Sequence, residues 1–187
     1  MLPSLVRAVD TLNERLGQVV SWLALFMVLT QFTVVLMRYV FGIGWIWVQE
    51  SIVYMHAAVF LIAAGYTLVH NGHVRVDIFY GGMSVRSKAI VDFAGGLVFL
   101  LPMCAMIAWS SFGFVTRAWG IFEGSPEGDN GIPGVFLLKT AILVFCAVVA
   151  LQGLAIMARS LLTLGGAEPP PAPGSDVPQS DVQEEGV

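Results

Sequence analysis

Charged residues are scarce in this 187-residue chain. Asp, Glu, Lys and Arg make up 12% of it, whereas an average soluble domain carries about 25%. Hydrophobic residues make up 57%, and the mean hydropathy is +0.80. So few charges cannot cover a water-facing surface, which indicates lipid as the solvent for much of the chain. The Lys and Arg residues are also not clustered, so the sequence gives no indication of a nucleic-acid surface.

Metal-binding and catalytic patterns are lacking as well. Cys104 and Cys146 fall inside apolar runs, where cysteine behaves as a small hydrophobic residue. The chain has no CxxC pair and no HExxH motif, which excludes the common zinc sites. His70, His73 and Asp77 could be imagined as metal ligands, but two histidines three residues apart in a polar loop are a weak signal. We expect no metal or cofactor, and we expect that the protein is not an enzyme, because no nucleophile, base and orienting group converge.

Long apolar stretches are what the sequence does have. A helix needs about 20 residues to cross about 30 Å of hydrocarbon, and four stretches meet that requirement. The sequence therefore predicts an all-α integral membrane protein with a four-helix membrane domain over residues 16–162. The third span contains Gly95, Gly96 and Pro102 and is predicted to bend, since proline removes a backbone donor. The predicted spans are residues 16–37, 50–69, 89–112 and 135–157.

The two ends of the chain differ from this apolar domain. In residues 1–15, Leu5, Val9 and Leu12 recur at helical spacing among charged residues, which predicts an amphipathic helix lying in the membrane interface. Residues 163–187 are rich in proline and acidic side chains and cannot bury a core. They are predicted to form a disordered tail.

The distribution of Lys and Arg predicts an orientation. Cytoplasmic flanks of membrane spans carry more of these residues than the opposite flanks. Six lie on the side that holds both termini, and three lie on the other, so both termini are predicted to be cytoplasmic in a multi-pass protein of the bacterial inner membrane. The six are Arg7, Arg15, Arg75, Arg86, Lys88 and Arg159, and the three are Arg38, Arg117 and Lys139.

Polar residues at the outer boundary of spans one and two need an explanation. Arg38 ends span one and Glu50 opens span two, so an ion pair between them is possible. Each could instead extend to water from a helix end, or contact a partner subunit or a lipid headgroup. Trp47, between them, fits the aromatic belt at the headgroup level.

Two further features within the spans favour helix packing. Ala58 and Gly65 belong to a run of small residues in span two, and small residues allow helices to approach closely in lipid. Gln152 is the strongly polar side chain deep in span four, and it is predicted to form a hydrogen bond across helices. His56 lies deep in span two, where a neutral imidazole donating to a neighbouring carbonyl is the expected role.

Several short motifs, taken in order, resemble one family: the DctQ-like small integral membrane subunits of tripartite ATP-independent periplasmic (TRAP) transporters. The resemblance covers about residues 5–162. One departure is that Gln49 and Tyr54 stand where family members often have an acidic and a basic residue. The matching motifs are Arg38-Tyr39-Val40-Phe41 before an aromatic link to Trp47-Val48-Gln49-Glu50, His73-Val74-Arg75-Val76-Asp77 after span two, Glu123-Gly124-Ser125-Pro126 with Ile132-Pro133 before span four, and Lys139 with Leu151-Gln152-Gly153 in that span.

The resemblance implies a function shared among three proteins. A periplasmic solute-binding protein captures an organic acid, and a large membrane subunit carries the substrate and sodium sites. The small subunit packs beside the large permease subunit as a fixed scaffold, surrounded by membrane lipids. On this basis, the candidate contacts with a partner subunit or with lipid are Arg38, Trp47, Glu50, Ala58, Gly65, His73, Asp77 and Gln152.

Two alternatives stay open from the sequence. A membrane redox subunit with b-type haem would need two facing histidines at matched depth, and His56 alone is clearly within a span. The other alternative is a channel or exporter that forms by oligomerisation and works without partners, and transport by this chain alone in liposomes would support it. The chain shows neither an internal repeat nor a cluster of intramembrane charges, which are the usual features of secondary transporters. The identity of the transported substrate does not follow from this sequence.

Overall fold

A computed structural model describes residues 2–70, 72, 80–167 and 169–171. Its helices are α1 (Leu2–Val40), α2 (Ile46–Val69), α3 (Val85–Gly95), α4 (Leu101–Gly120) and α5 (Val135–Leu164). A π-helical turn, Gly96–Leu100, joins α3 to α4 without a break, and a short 3₁₀ turn, Gly128–Asn130, lies in the loop before α5. The regular structure in this part of the chain is all helical.

Four helical units are long and apolar enough to cross a membrane, which confirms the predicted all-α membrane architecture. The third unit combines α3, the π-helical turn and α4. Many of their large hydrophobic side chains are exposed in the isolated chain, as expected where lipid takes the place of water. The units are Pro3–Val40, Ile46–Val69, Val85–Gly120 and Val135–Leu164.

The predicted amphipathic segment is helical, but it is not a separate element. Helix α1 runs from Leu2 through this segment into the first span, because nothing between them interrupts the backbone hydrogen-bond ladder. Its 39 residues extend about 58 Å, well beyond the hydrocarbon thickness. Leu5 and Leu12, on the predicted apolar face, are exposed, while Asp10 and Asn13 are buried. The first three turns therefore pack through a face that contains polar groups.

Helix α5 is the central packing element. It contacts α1, α2, α3, the π-helical turn and α4, and it carries more of the buried residues than any other described helix. The apolar core joins Leu68 of α2, Cys104 of α4, and Cys146 and Val149 of α5. Both cysteines are free and buried there, in agreement with the prediction that they act as hydrophobic residues.

Glycine allows the helices to approach closely at several crossings. A Cβ atom at Gly153 would lie 2.4 Å from Cδ2 of Leu100, and one at Gly96 would lie 2.8 Å from Cγ of Met157. These two contacts bring the π-helical turn against α5. Such close contact is the main source of attraction between helices in lipid, where apolar burial gives little driving force.

Span three was predicted to bend near Gly95, Gly96 and Pro102, and the structure has the π-helical turn at this place. The amide of Leu101 donates to the carbonyl of Gly96, a bond one residue wider than in an α-helix. Pro102 follows immediately and has no N–H to donate, so the ladder is already interrupted at this point. The wide turn therefore accommodates the proline.

The predicted tail is only partly within the described residues. Helix α5 extends to Leu164, and Pro169–Pro171 are described, but Glu168 and residues 172–187 are outside the described part. The prediction of disorder for that segment therefore remains a prediction.

Candidate functional site

Four polar side chains form a buried cluster between α1 and α5, called here the terminal cluster: Asp10, Asn13, Gln152 and Arg159. Asn13 Nδ2 donates to Gln152 Oε1 at 2.8 Å, and Gln152 Nε2 donates to Asp10 Oδ1 at 3.0 Å. The guanidinium of Arg159 donates to the other carboxylate oxygen of Asp10. Gln152 is 0% exposed, Asn13 1% and Asp10 2%, so the cluster joins the two helices away from solvent.

Helical spacing brings these groups together. On α1, Asp10 and Asn13 lie three residues apart, on the buried stripe that also contains Val6, Gly17 and Val20. On α5, Gln152 and Arg159 lie seven residues apart, which is two turns on the same face. Each side chain thus meets a partner across the helix pair, and the predicted cross-helix hydrogen bond of Gln152 is confirmed.

The C-terminal end of α2 reaches the same region of α1. His70 Nε2 lies 2.7 Å from Glu14 Oε2, one turn along from Asp10. The His70 ring also contacts the Tyr66 ring, with the centroids 4.4 Å apart. Both members of the His70–Glu14 pair are about a quarter exposed, so this contact lies at the edge of the buried terminal cluster.

At the opposite end of the helices, Glu50 fixes the loop between α4 and α5. One carboxylate oxygen accepts a hydrogen bond from the Ser125 hydroxyl, and the other accepts from the backbone N–H of Ile132 at 2.6 Å. Ser125 Oγ in turn accepts from the N–H of Glu127 at 3.1 Å. We call Glu50, Ser125 and Ile132 the loop cluster. It ties the first turn of α2 to a loop that is distant in sequence.

A second contact holds the same loop to α5. Lys139 Nζ donates to Glu123 Oε2 at 2.5 Å, and it also lies 3.9 Å from the centroid of the Phe114 ring. The carbonyl of Glu123 accepts from the N–H of Phe136 at 3.3 Å. The charges of Glu123 and Lys139 are thus paired within the chain.

The residues predicted as partner or lipid contacts fall into three groups. Glu50, Gly65 and Gln152 make contacts within the chain, and Ala58 is half-buried in α2. Arg38 and Trp47 are exposed, and none of the ion pairs in the described chain includes Arg38, so the pair with Glu50 that the sequence allowed is not formed. His73 and Asp77 lie outside the described residues.

The arrangement of the histidines bears on haem and metal binding. His56 is on α2 and His70 directly follows that helix, fourteen residues or about 21 Å along it, so they cannot hold one haem iron from opposite sides within this chain. Within residues 2–70, 72, 80–167 and 169–171, no group of three or more His, Cys, Asp or Glu side chains could hold a metal ion.

Sequence reasoning missed Asp10, Asn13 and Arg159 as members of one site. A signal was present: Asp10 follows Val6 by four residues, and Asn13 follows Asp10 by three. This spacing places the two polar side chains on the same face of the helix as the apolar Val6. That pattern does not identify the partner, which lies 139 residues or more along the chain from Asn13 and Asp10.

Together, these features define a class of protein: a multi-pass helical membrane protein whose described polar clusters join its own helices at both ends. The family model for the DctQ component of tripartite ATP-independent periplasmic transporters matches residues 27–163. This chain belongs to that family, as the resemblance in its sequence motifs predicted, and so is a small membrane subunit of a TRAP transporter. No curated protein and no solved structure matches the chain.

Proposed function

We propose that this DctQ-family chain is a scaffold for the large permease subunit of its transporter. In this proposal the permease carries the sodium-coupled movement of an organic acid, and a periplasmic solute-binding protein delivers that acid. The chain lies in the bacterial inner membrane with both termini in the cytoplasm. It holds the permease in position without binding the substrate itself.

The observation that carries the proposal is that the polar side chains of the two clusters bond to other parts of the same chain. The terminal cluster joins α1 to α5, and the loop cluster joins α2 to the loop that precedes α5. Asp10, Gln152 and Glu50 therefore fix the helices to each other at both ends. A chain fixed in this way supports a moving neighbour better than it supports the alternating rearrangement that secondary transport requires.

Reconstitution into liposomes tests the scaffold role. The chain alone, the permease alone and the co-purified pair would be compared for uptake of radiolabelled organic acids, with the binding protein added and an inward sodium gradient imposed. We expect uptake from the pair and none from the chain alone. Sodium-driven uptake by this chain without the permease would contradict the proposal, and failure of the two proteins to copurify would also contradict it.

A matched pair of variants separates scaffolding from substrate selection. Glu50→Ala should lower the yield of the assembled pair, because it frees the loop that Ser125 and Ile132 anchor. Glu127→Ala, in the same loop but with an exposed side chain, should not. A Glu50→Ala complex that assembled normally but accepted a different organic acid would assign this residue to selectivity and contradict its structural role.

A further inference from the structure

Helices α1 and α2 form a shallow groove whose lining combines aliphatic and polar side chains. The groove has a volume of about 390 Å³, and its lining includes Gln31 and Arg38 of α1 and Gln49 of α2, together with the apolar Val35 and Val53. Gln31 and Arg38 are exposed and Gln49 is half-buried. His56 lies seven residues after Gln49, two turns along the same face of α2, and is exposed as well.

These four side chains form no hydrogen bond within the described residues. His56 makes a ring contact with Phe60, at a centroid distance of 4.4 Å, but that contact satisfies neither ring nitrogen. Exposed hydroxyl groups in the helices behave differently, since they bond to their own backbone: Thr33 Oγ1 donates to the carbonyl of Leu29 at 2.8 Å, and Ser110 Oγ donates to that of Ile107 at 3.1 Å. Four of the described polar side chains that are left for a partner outside the chain thus lie together on the α1–α2 face.

Two of these four polar side chains lie deeper in the membrane than the polar residues of an ordinary helix end. Arg38 and Gln49 are near the outer ends of their helices and could reach water. Gln31 and His56 each lie seven residues further in, about 10 Å along the helix axis. Amide and imidazole groups at that depth are costly in contact with hydrocarbon, and such groups in spanning helices nearly always face protein or an aqueous cavity.

Charge indicates what kind of partner fits. Glu50 is bonded to Ser125 and Ile132, so Arg38 is left without an acidic partner in the described chain. A second copy of this chain docked symmetrically on the groove would bring two Arg38 side chains towards each other, which is unfavourable. A different helix that presents acceptor groups, with an acidic residue or free carbonyls near the outer end, satisfies all four side chains.

We propose that the α1–α2 face is the docking surface for the large permease subunit, and that Gln31, Arg38, Gln49 and His56 bond to acceptor groups on its helices. This inference rests on the proposed scaffold function and adds the face through which the scaffold acts. The face that α4 presents, with Met106 and Trp109 67% and 87% exposed, is then left to lipid.

Site-specific photocrosslinking in the assembled complex tests the surface. A benzophenone amino acid would replace Val35 or Val53 in the groove and, as controls that are more exposed than either, Phe99 or Met106 on the α3–α4 side. We expect adducts with the permease from the two groove positions and not from the two controls. Adducts from Phe99 or Met106 alone, adducts between two copies of this chain from the groove, or no groove adduct in a complex that copurifies would each overturn the inference and leave the scaffold function standing. If the wild-type proteins do not copurify, the scaffold function itself fails, and this inference fails with it.

A substitution experiment checks the hydrogen bonds. The double variant Gln31→Leu/His56→Leu should weaken binding of the chain to the permease in detergent roughly tenfold, the effect of losing two interhelical hydrogen bonds of ordinary strength in membranes. Thr33→Val and Ser110→Ala, which remove self-bonded hydroxyls, should leave binding unchanged. Both leucine substitutions are at exposed positions, so the isolated variant should keep its thermal stability, and unchanged affinity in a folded variant would contradict the assignment.

Discussion

At the scale of single residues, Asp10 is the side chain on which the terminal cluster depends most. Its side chain is 3% exposed, that of Arg159 is 16% exposed, and Gln152 donates to the same carboxylate. A buried ion pair contributes little relative to a well-packed apolar pair, but removing one partner leaves an uncompensated charge. The cluster therefore specifies how α1 meets α5, and it is sensitive to the loss of any one member.

Asp10→Ala should lower the free energy of unfolding by about 3 kcal/mol, because Arg159 and Gln152 lose their acceptor. Asp10→Asn, which keeps one acceptor oxygen, should cost less. Thermal or detergent-titrated unfolding of the purified chain measures the difference. Glu14→Ala is the control: its pair with His70 is about a quarter exposed on both sides, so we expect a loss of at most about 1 kcal/mol. Equal effects at Asp10 and Glu14 would refute the role of burial.

Gly65 tests close helix approach at the same scale. A Cβ atom there would lie 2.3 Å from both Asn13 Oδ1 and Val148 Cγ1, so Gly65→Ala forces α2 away from α1 and α5. We expect a loss of about 1–3 kcal/mol in unfolding free energy. Gly113→Ala, where nothing lies within 4 Å, should instead stabilise the chain by about 0.5–1 kcal/mol through helix propensity. The unfolding free energies of the two alanine variants are compared by thermal or detergent-titrated unfolding. A Gly65→Ala variant as stable as Gly113→Ala would contradict the close approach of the helices at Gly65.

At the scale of elements, the spans predicted from hydropathy differ in length from the helices that contain them. The predicted second span ends at the last residue of α2, Val69, and the predicted fourth span begins at the first residue of α5, Val135. Where a predicted span was shorter than its helix, as in the third span predicted to end at residue 112, the helix continues beyond it, here to Gly120. Apolar content identifies the part of a helix in hydrocarbon, but it does not identify where the helix stops.

Which helices pack against each other could not be predicted from the sequence, for a related reason. In a soluble helix the apolar face points to the core, but here both lipid-facing and protein-facing surfaces are apolar. Gln152 could be identified as a packing residue because a lone amide needs a partner in lipid. Nothing in the sequence identified Asp10 and Asn13 as the partners of that amide. Likewise Glu50 is prominent in the sequence, but its bonds to Ser125 and Ile132 depend on how a loop about 80 residues away folds back.

Glu50→Ala should loosen the loop between α4 and α5. The Ile132 amide loses its carboxylate acceptor, so its hydrogen exchange should accelerate at least tenfold, the effect expected for losing a hydrogen bond to a charged group. Exchange measured by mass spectrometry in lipid nanodiscs would resolve peptides that cover residues 121–134. Glu127→Ala should leave these peptides unchanged, because its side chain is exposed. Unaltered protection at Ile132 in the Glu50→Ala variant would argue against the loop cluster as an anchor.

At the scale of the whole molecule, the contacts place the ends of the helices unambiguously relative to each other. Asp10 meets Arg159 and Glu14 meets His70, so the start of α1 and the ends of α2 and α5 lie together. Glu50 meets Ser125 and Ile132 at the other end. The chain therefore crosses the bilayer alternately, and the one remaining choice is which end faces the cytoplasm.

Cysteine accessibility settles that choice. Cys104 and Cys146 are buried, so the native chain gives little background labelling. Arg86→Cys lies at the end predicted to be cytoplasmic by its six Lys and Arg residues, and Glu127→Cys lies at the other end; both positions are exposed. In intact spheroplasts a membrane-impermeant maleimide should label Glu127→Cys and leave Arg86→Cys unlabelled, and permeabilised cells should label both. The reverse labelling pattern would show that the orientation is opposite to the predicted one. It would also put Arg38 and Gln49 on the cytoplasmic side, so the partner acceptors inferred for the outer end of the groove would have to be sought at the cytoplasmic boundary of the permease.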